Sequence, residues 1–219
     1  MLSALFGMIA VAEVVLLALV LTMRRRRPDW ALTLLIFVIL ALIWDNTIIA
    51  LGSTIGEGDT LEALSRPRYI THGLLVPLLI MVGVGLGRRH GVQSLTGRTA
   101  PAAFGALTVL LIAAGVYLDI LDLDLEPTRY ADTLRYTNAA SHGAPIPAVV
   151  TILVLIGIGI ALQLRARRPW LLIGAITMFV AAALGAVAFW TGNVGELLLI
   201  LGIWWTAAQT IRPAQPVPA

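Results

Sequence analysis

The chain has 219 residues, 59% of them hydrophobic and only 12% charged, which excludes a soluble globular domain and places it among helical membrane proteins. It contains no cysteine, so disulfides, thiolate metal sites and cysteine nucleophiles are excluded. All 15 basic residues are arginine; without lysine there is no retinal Schiff base, and a working rhodopsin is excluded with it. A pI of about 9.9 would suit a nucleic-acid partner. Here the arginines sit in short segments between apolar runs, where membrane topology accounts for them.

In chain order, seven apolar runs are predicted to be transmembrane helices: residues 2–23, 30–51, 69–87, 102–118, 147–164, 170–190 and 194–211. Each is long enough to cross about 30 Å of hydrocarbon. Arg24 to Arg27, Arg88, Arg89, Arg98, Arg165, Arg167, Arg168 and Arg212 fall on one side. Glu57, Asp59, Glu62, Asp122, Asp124, Glu126 and Asp132 fall on the other. The excess of arginine marks the cytoplasmic face, so the N-terminus is expected outside and the C-terminus inside. The first run reads as a reverse anchor and not a cleaved signal, because its positive cluster follows the apolar stretch. The expected product is an all-α, multi-pass protein of the plasma (inner) membrane. It forms one seven-helix domain over residues 1–211 with a proline-rich, disordered tail at 212–219.

On the outer side, two acidic loops are expected, at 52–68 and 119–146, with a tight turn at Thr191-Gly192-Asn193. Asp45 lies about six residues inside the outer end of its helix, roughly 9 Å deep. An intramembrane acid of this kind is by default a functional-site candidate. His72, a turn into the next helix, faces the same side. The order Asp45, Arg68-Tyr69, His72-Gly73 recurs as Asp119, Arg135-Tyr136, His142-Gly143. Two hairpins in the same orientation therefore read as a parallel duplication, although the spacing from Arg to His differs between the copies.

Other polar residues carry a plainer reading beside the functional one. Glu13, at the centre of the first span, is either a hydrogen-bonded interhelical carboxyl or a buried acid able to give a proton. Arg68 and Arg135 could clamp a carboxylate or phosphate, or only neutralise the acidic loops. Asp122, Asp124 and Glu126 would share one face of a strand and could then hold a divalent metal, but a solvated loop explains them. Asn193 and Glu196 match a helix-capping box. Trp44, Tyr69, Tyr117, Tyr136 and Trp190 gather near the outer interface as an aromatic belt, and the same rings could line a pocket.

The leading expectation is an intramembrane enzyme acting on a lipophilic, isoprenoid-type small molecule drawn from the bilayer. The candidate acids and supporting groups are Asp45, His72, Asp119, His142 and Glu13; Trp44, Asn46, Tyr69, Tyr117, Trp190, Arg68 and Arg135 are the candidate substrate contacts. Protonation of an alkene or epoxide creates cations that aromatic faces stabilise. In size, span number and intramembrane carboxylates the chain resembles the small seven-helix integral-membrane terpene cyclases of meroterpenoid and indole-terpenoid pathways. That likeness is architectural and transfers no residue role. It implies an acid-initiated cyclisation that needs no cofactor. Three alternatives use the same groups: a haem b or quinone protein with His72 and His142 as axial ligands, a proton-coupled transporter using Glu13 and Asp45, and a metal hydrolase with a two-His, two-carboxylate set.

Overall fold

The computed structural model describes residues 1–140 and 145–209, and of Asp119 the backbone alone. His142 and the tail at 212–219 lie outside the described residues. The chain is mostly helical: α1 Leu2–Arg26, α2 Trp30–Ile55, α3 Asp59–Leu75, α4 Leu78–Arg89, a single turn α5 Gln93–Thr96, α6 Thr99–Gly115, α7 Ile146–Ala166, α8 Trp170–Leu184 and α9 Trp190–Ala208. A π-helical segment, Val116–Leu121, extends α6, and an antiparallel hairpin, β1 Leu125–Tyr130 and β2 Thr133–Asn138, precedes α7.

Among the described residues, four helical stretches are long and apolar enough to cross a membrane: α1, α2, α6 with its extension to Leu118, and α7. The pair α3–α4, bent by 43°, makes a fifth if it is one broken span. The break falls at Pro77, which has no N–H to donate and crowds the preceding turn. Among the remaining helices α8 is apolar but only 15 residues long, and α9 is diluted by Asn193, Glu196 and its glycines.

Local chemistry explains most boundaries. Asp29 caps α2 by accepting from the Ala31 amide at 2.8 Å, and it also pairs with Arg89 at the end of α4. The loop expected at 52–68 is largely helical, since only residues 56–58 separate α2 from α3. Gly56 and Gly58 supply positive φ there, +87° and +143°. Asp59 and Glu62 then occupy the first turn of α3, where acids complement the helix dipole. Arg66 pairs with Glu62 one turn back at 2.6 Å.

Half of the loop expected at 119–146 is the hairpin. Leu134 and Tyr136 on one face of β2 are buried with Ile48 and Leu61, forming a small second core above the main helical one. The hairpin can sit this close to α2 because Gly52 has no side chain: a Cβ there would lie 1.9 Å from the Leu134 carbonyl oxygen. The hairpin tip ties two helix ends together. The Asp132 carboxylate accepts from the Leu2 and Ser3 amides at 2.7 and 3.3 Å. The Asp132 carbonyl accepts from Ser3 Oγ at 2.9 Å and Ser53 Oγ at 2.7 Å.

The tight turn expected at 191–193 is also revised. Those residues open α9, and the chain reverses earlier, after Gly185 at the end of α8. Asn193 is therefore no N-cap, and the capping-box reading of Asn193 and Glu196 fails with it.

Candidate functional site

Below the hairpin, α2, α3 and α9 enclose a cavity of about 270 Å³. Its wall carries Asp45 from α2, Arg68, Tyr69 and His72 from α3, and Asn193 and Glu196 from α9, with Asn138 and Pro145 above. A smaller void shares Asp45, Arg68, His72 and Glu196 and is otherwise walled by Val38, Ala41, Leu42, Thr71, Leu75 and Val76. The α2 residues of that void lie one to two turns deeper than Asp45. The site is thus charged at its outer end, and the smaller void, of about 30 Å³, is bounded equally by apolar and polar residues.

The helical periodicity explains the convergence. Arg68 and His72 are one turn apart on α3, and Asn193 and Glu196 are three residues apart on α9, so each pair shares a face. Arg68 Nε donates to Asp45 Oδ1, and both side chains are largely buried, 10% and 20% exposed. Asn193 Nδ2 donates to the other Asp45 oxygen at 2.9 Å and to Asn46 Oδ1 at 3.2 Å. Asn46 Nδ2 in turn donates to both Glu13 carboxyl oxygens at 3.1 Å and to the Leu42 carbonyl at 3.0 Å. Glu13 and Asn46 are both fully buried. A continuous polar chain therefore runs Glu13–Asn46–Asn193–Asp45–Arg68 across four helices.

Glu196 has no hydrogen bond or ion pair with a described residue, in contrast to Asp45. Among the described residues it is the one carboxyl group in the cavity wall without such a partner. The hairpin holds the site from above: Tyr69 Oη donates to the Tyr136 carbonyl at 2.9 Å, and Arg68 reaches the same oxygen at 3.5 Å.

The expected partnership of Asp45 with His72 is changed in detail. Asp45 engages Arg68 and Asn193, while His72 lies in the same cavity wall. Arg68 is consequently occupied as an internal counter-ion. Arg135 stands apart from that pair, with its guanidinium 3.6 Å from the centre of the Phe189 ring. Its Nε is buried without an acceptor among the described residues. Burial, with Arg68 nearby, pushes its guanidinium below the usual arginine value.

Of the expected aromatic contacts only Tyr69 lines the cavity. Trp44 donates its indole N–H to the Leu64 carbonyl at 3.1 Å and is 40% exposed on the outer surface. Tyr117 is 64% exposed, and Trp190 borders a separate apolar groove between α8 and α9. Asn193, Glu196 and Asn138 were not foreseen as site residues. The signal for the first two was their spacing on one helix face.

No protein-family model matches the chain and no curated protein matches it, so its function is read from the residues of this cavity.

Proposed function

We propose that the chain is an intramembrane enzyme that converts a lipophilic, isoprenoid-type substrate by acid catalysis, with terpene cyclisation as the leading form. In this reading it spans the bilayer seven times: α8 and α9 cross as well, α3–α4 counts as one broken span, and the hairpin and the cavity face the outside. The observation that carries the reading is Glu196, a carboxyl with no hydrogen bond or ion pair among the described residues, in the wall of a charged cavity next to a smaller void partly lined by Val38, Leu42, Leu75 and Val76.

The chemistry follows from the positions of the groups. The substrate's chain lies along the apolar part of the cavity wall, and its reacting end meets Glu196. Glu196 passes its carboxyl proton to an alkene carbon or epoxide oxygen, and the resulting cation closes a ring. Loss of a proton from the final cation to the Glu196 carboxylate restores the acid, so the product is an isomer of the substrate. Asp45, held by Arg68 and Asn193, lies close enough to offset the positive charge that develops. His72 and Tyr69 complete the polar wall.

The test is turnover of prenylated and epoxidised prenylated substrates by the purified protein, read by mass spectrometry. The expected product has the substrate's mass and one more ring. Glu196→Gln keeps the shape but cannot deliver the proton, and should lower turnover by about 10²- to 10⁴-fold. Undiminished turnover in that variant would remove Glu196 from the acid role.

A further inference from the structure

Asn138, the last residue of β2, belongs to the cavity wall, and its two polar ends have different surroundings. In the strand it alternates onto the same face as Leu134 and Tyr136. The Asp124 and Ala140 amides both donate to one end of its carboxamide, at 3.1 Å each. A backbone amide can only donate, so that end is the oxygen and the other is the NH₂. The base of the hairpin therefore fixes which way round the group lies. The NH₂ is buried and has no acceptor among the described residues.

Folded proteins leave few buried donors without an acceptor, because such a donor has given up its water for nothing. Two acceptors of this part of the site are already engaged: the Tyr136 carbonyl by Tyr69 and Arg68, and the Asp45 carboxylate by Arg68 and Asn193. We infer that Asn138 is an anchoring residue, whose NH₂ donates to an oxygen of the bound lipophilic molecule, a carbonyl or another oxygen able to accept. This deepens the proposed function, on whose lipophilic substrate it rests: that substrate carries an accepting oxygen at the end nearest the hairpin.

The experiment measures the binding of two probes to the full-length protein in nanodiscs, against empty nanodiscs, with no turnover required. The probes are farnesylacetone and the hydrocarbon in which its carbonyl oxygen is replaced by two hydrogens. The ketone should bind at least about tenfold more tightly, as expected where a buried donor is otherwise left unanswered. Equal binding would mean that water serves the NH₂; it overturns the anchor and leaves the acid role of Glu196 standing. If neither probe binds, both fall. Asn138→Asp tests the residue itself. It keeps an oxygen for the Asp124 and Ala140 amides, and a carboxylate that accepts two backbone amides stays ionised, so an oxygen that cannot donate replaces the NH₂. The ketone preference should disappear in this variant; if it persists, another group holds the oxygen and the assignment fails. The wild type alone gives a second reading, the infrared stretch of a ketone isotopically labelled at its carbonyl carbon. A hydrogen bond should lower that stretch relative to the ketone in empty nanodiscs. An unshifted band overturns the anchor even if Asn138→Asp proves unstable.

Discussion

Asn193 and Asp45 are 148 positions apart in sequence, and their side chains meet at 2.9 Å. This contact joins the last helix to the second and places Glu196, one turn further along α9, in the same wall as the Asp45–Arg68 pair. Asn193 suits the place because its NH₂ serves two acceptors at once.

Replacement of Asn193 should separate geometry from charge. Asn193→Leu leaves a buried charged acceptor one donor short, at a cost of about 1–3 kcal/mol. Asn193→Asp sets a second carboxylate against Asp45 and should cost more. Thermal unfolding in detergent should rank the proteins wild type, Asn193→Leu, Asn193→Asp in falling order. An Asn193→Asp protein as stable as the wild type would mean that the contact contributes little.

The Asp45–Arg68 pair makes a related prediction. Removing one member of a buried pair strands the other charge and costs about 3–5 kcal/mol. Arg68→Leu alone should be strongly destabilised, and adding Asp45→Asn should restore much of the loss. A double-mutant cycle measures the coupling. Strictly additive single effects would argue that the two charges are stabilised independently of each other.

Asp45, Arg68, Tyr69 and His72 were legible in the sequence because a polar residue among apolar runs is conspicuous and costly to bury. Glu196 was equally visible but was absorbed by a local explanation, the capping box, whose i, i+3 spacing is also that of two residues on one helical face. Which explanation holds depends on where α8 ends. That end is set at Gly185, which local pattern does not single out from the small residues before it. The hairpin was hidden for a different reason. Pro127, Arg129 and Glu126 obscure β1, while the alternation of Leu134 and Tyr136 with Arg135 and Thr137 was present but too short to stand out. The Glu13–Asn46–Asn193 chain joins α1, α2 and α9, and no pattern within one segment can reveal it.

The seat of the hairpin on α2 can be tested at Gly52. An alanine there drives its methyl group into the Leu134 carbonyl, and the hairpin must lift. The expected penalty is about 1–3 kcal/mol, the usual range for overpacking. Arg129 and Arg135 lie in the two strands, so limited trypsinolysis reports the change directly. Gly52→Ala should be cut at these arginines well before the wild type. An unchanged digestion rate would show that the hairpin tolerates a side chain beneath it.

The proposed topology is open to the most direct test, because the chain has no cysteine and every cysteine introduced is a single reporter. Glu57→Cys, between α2 and α3, and Ala131→Cys, at the hairpin tip, fall on the side assigned to the outside. Arg25→Cys and Arg167→Cys fall among the arginine clusters assigned to the cytoplasm. These four positions lie away from the cavity wall, so substitution should leave the fold intact. A membrane-impermeant maleimide applied to intact cells should label the first two and reach the last two only after the membrane is opened. Labelling of Arg25→Cys and Arg167→Cys in intact cells would invert the protein. Labelling of Arg25→Cys together with Glu57→Cys would place both ends of α2 on one side and end the seven-span reading. With the assigned orientation, the mouth of the cavity lies at the outer surface, on the same side as the hairpin.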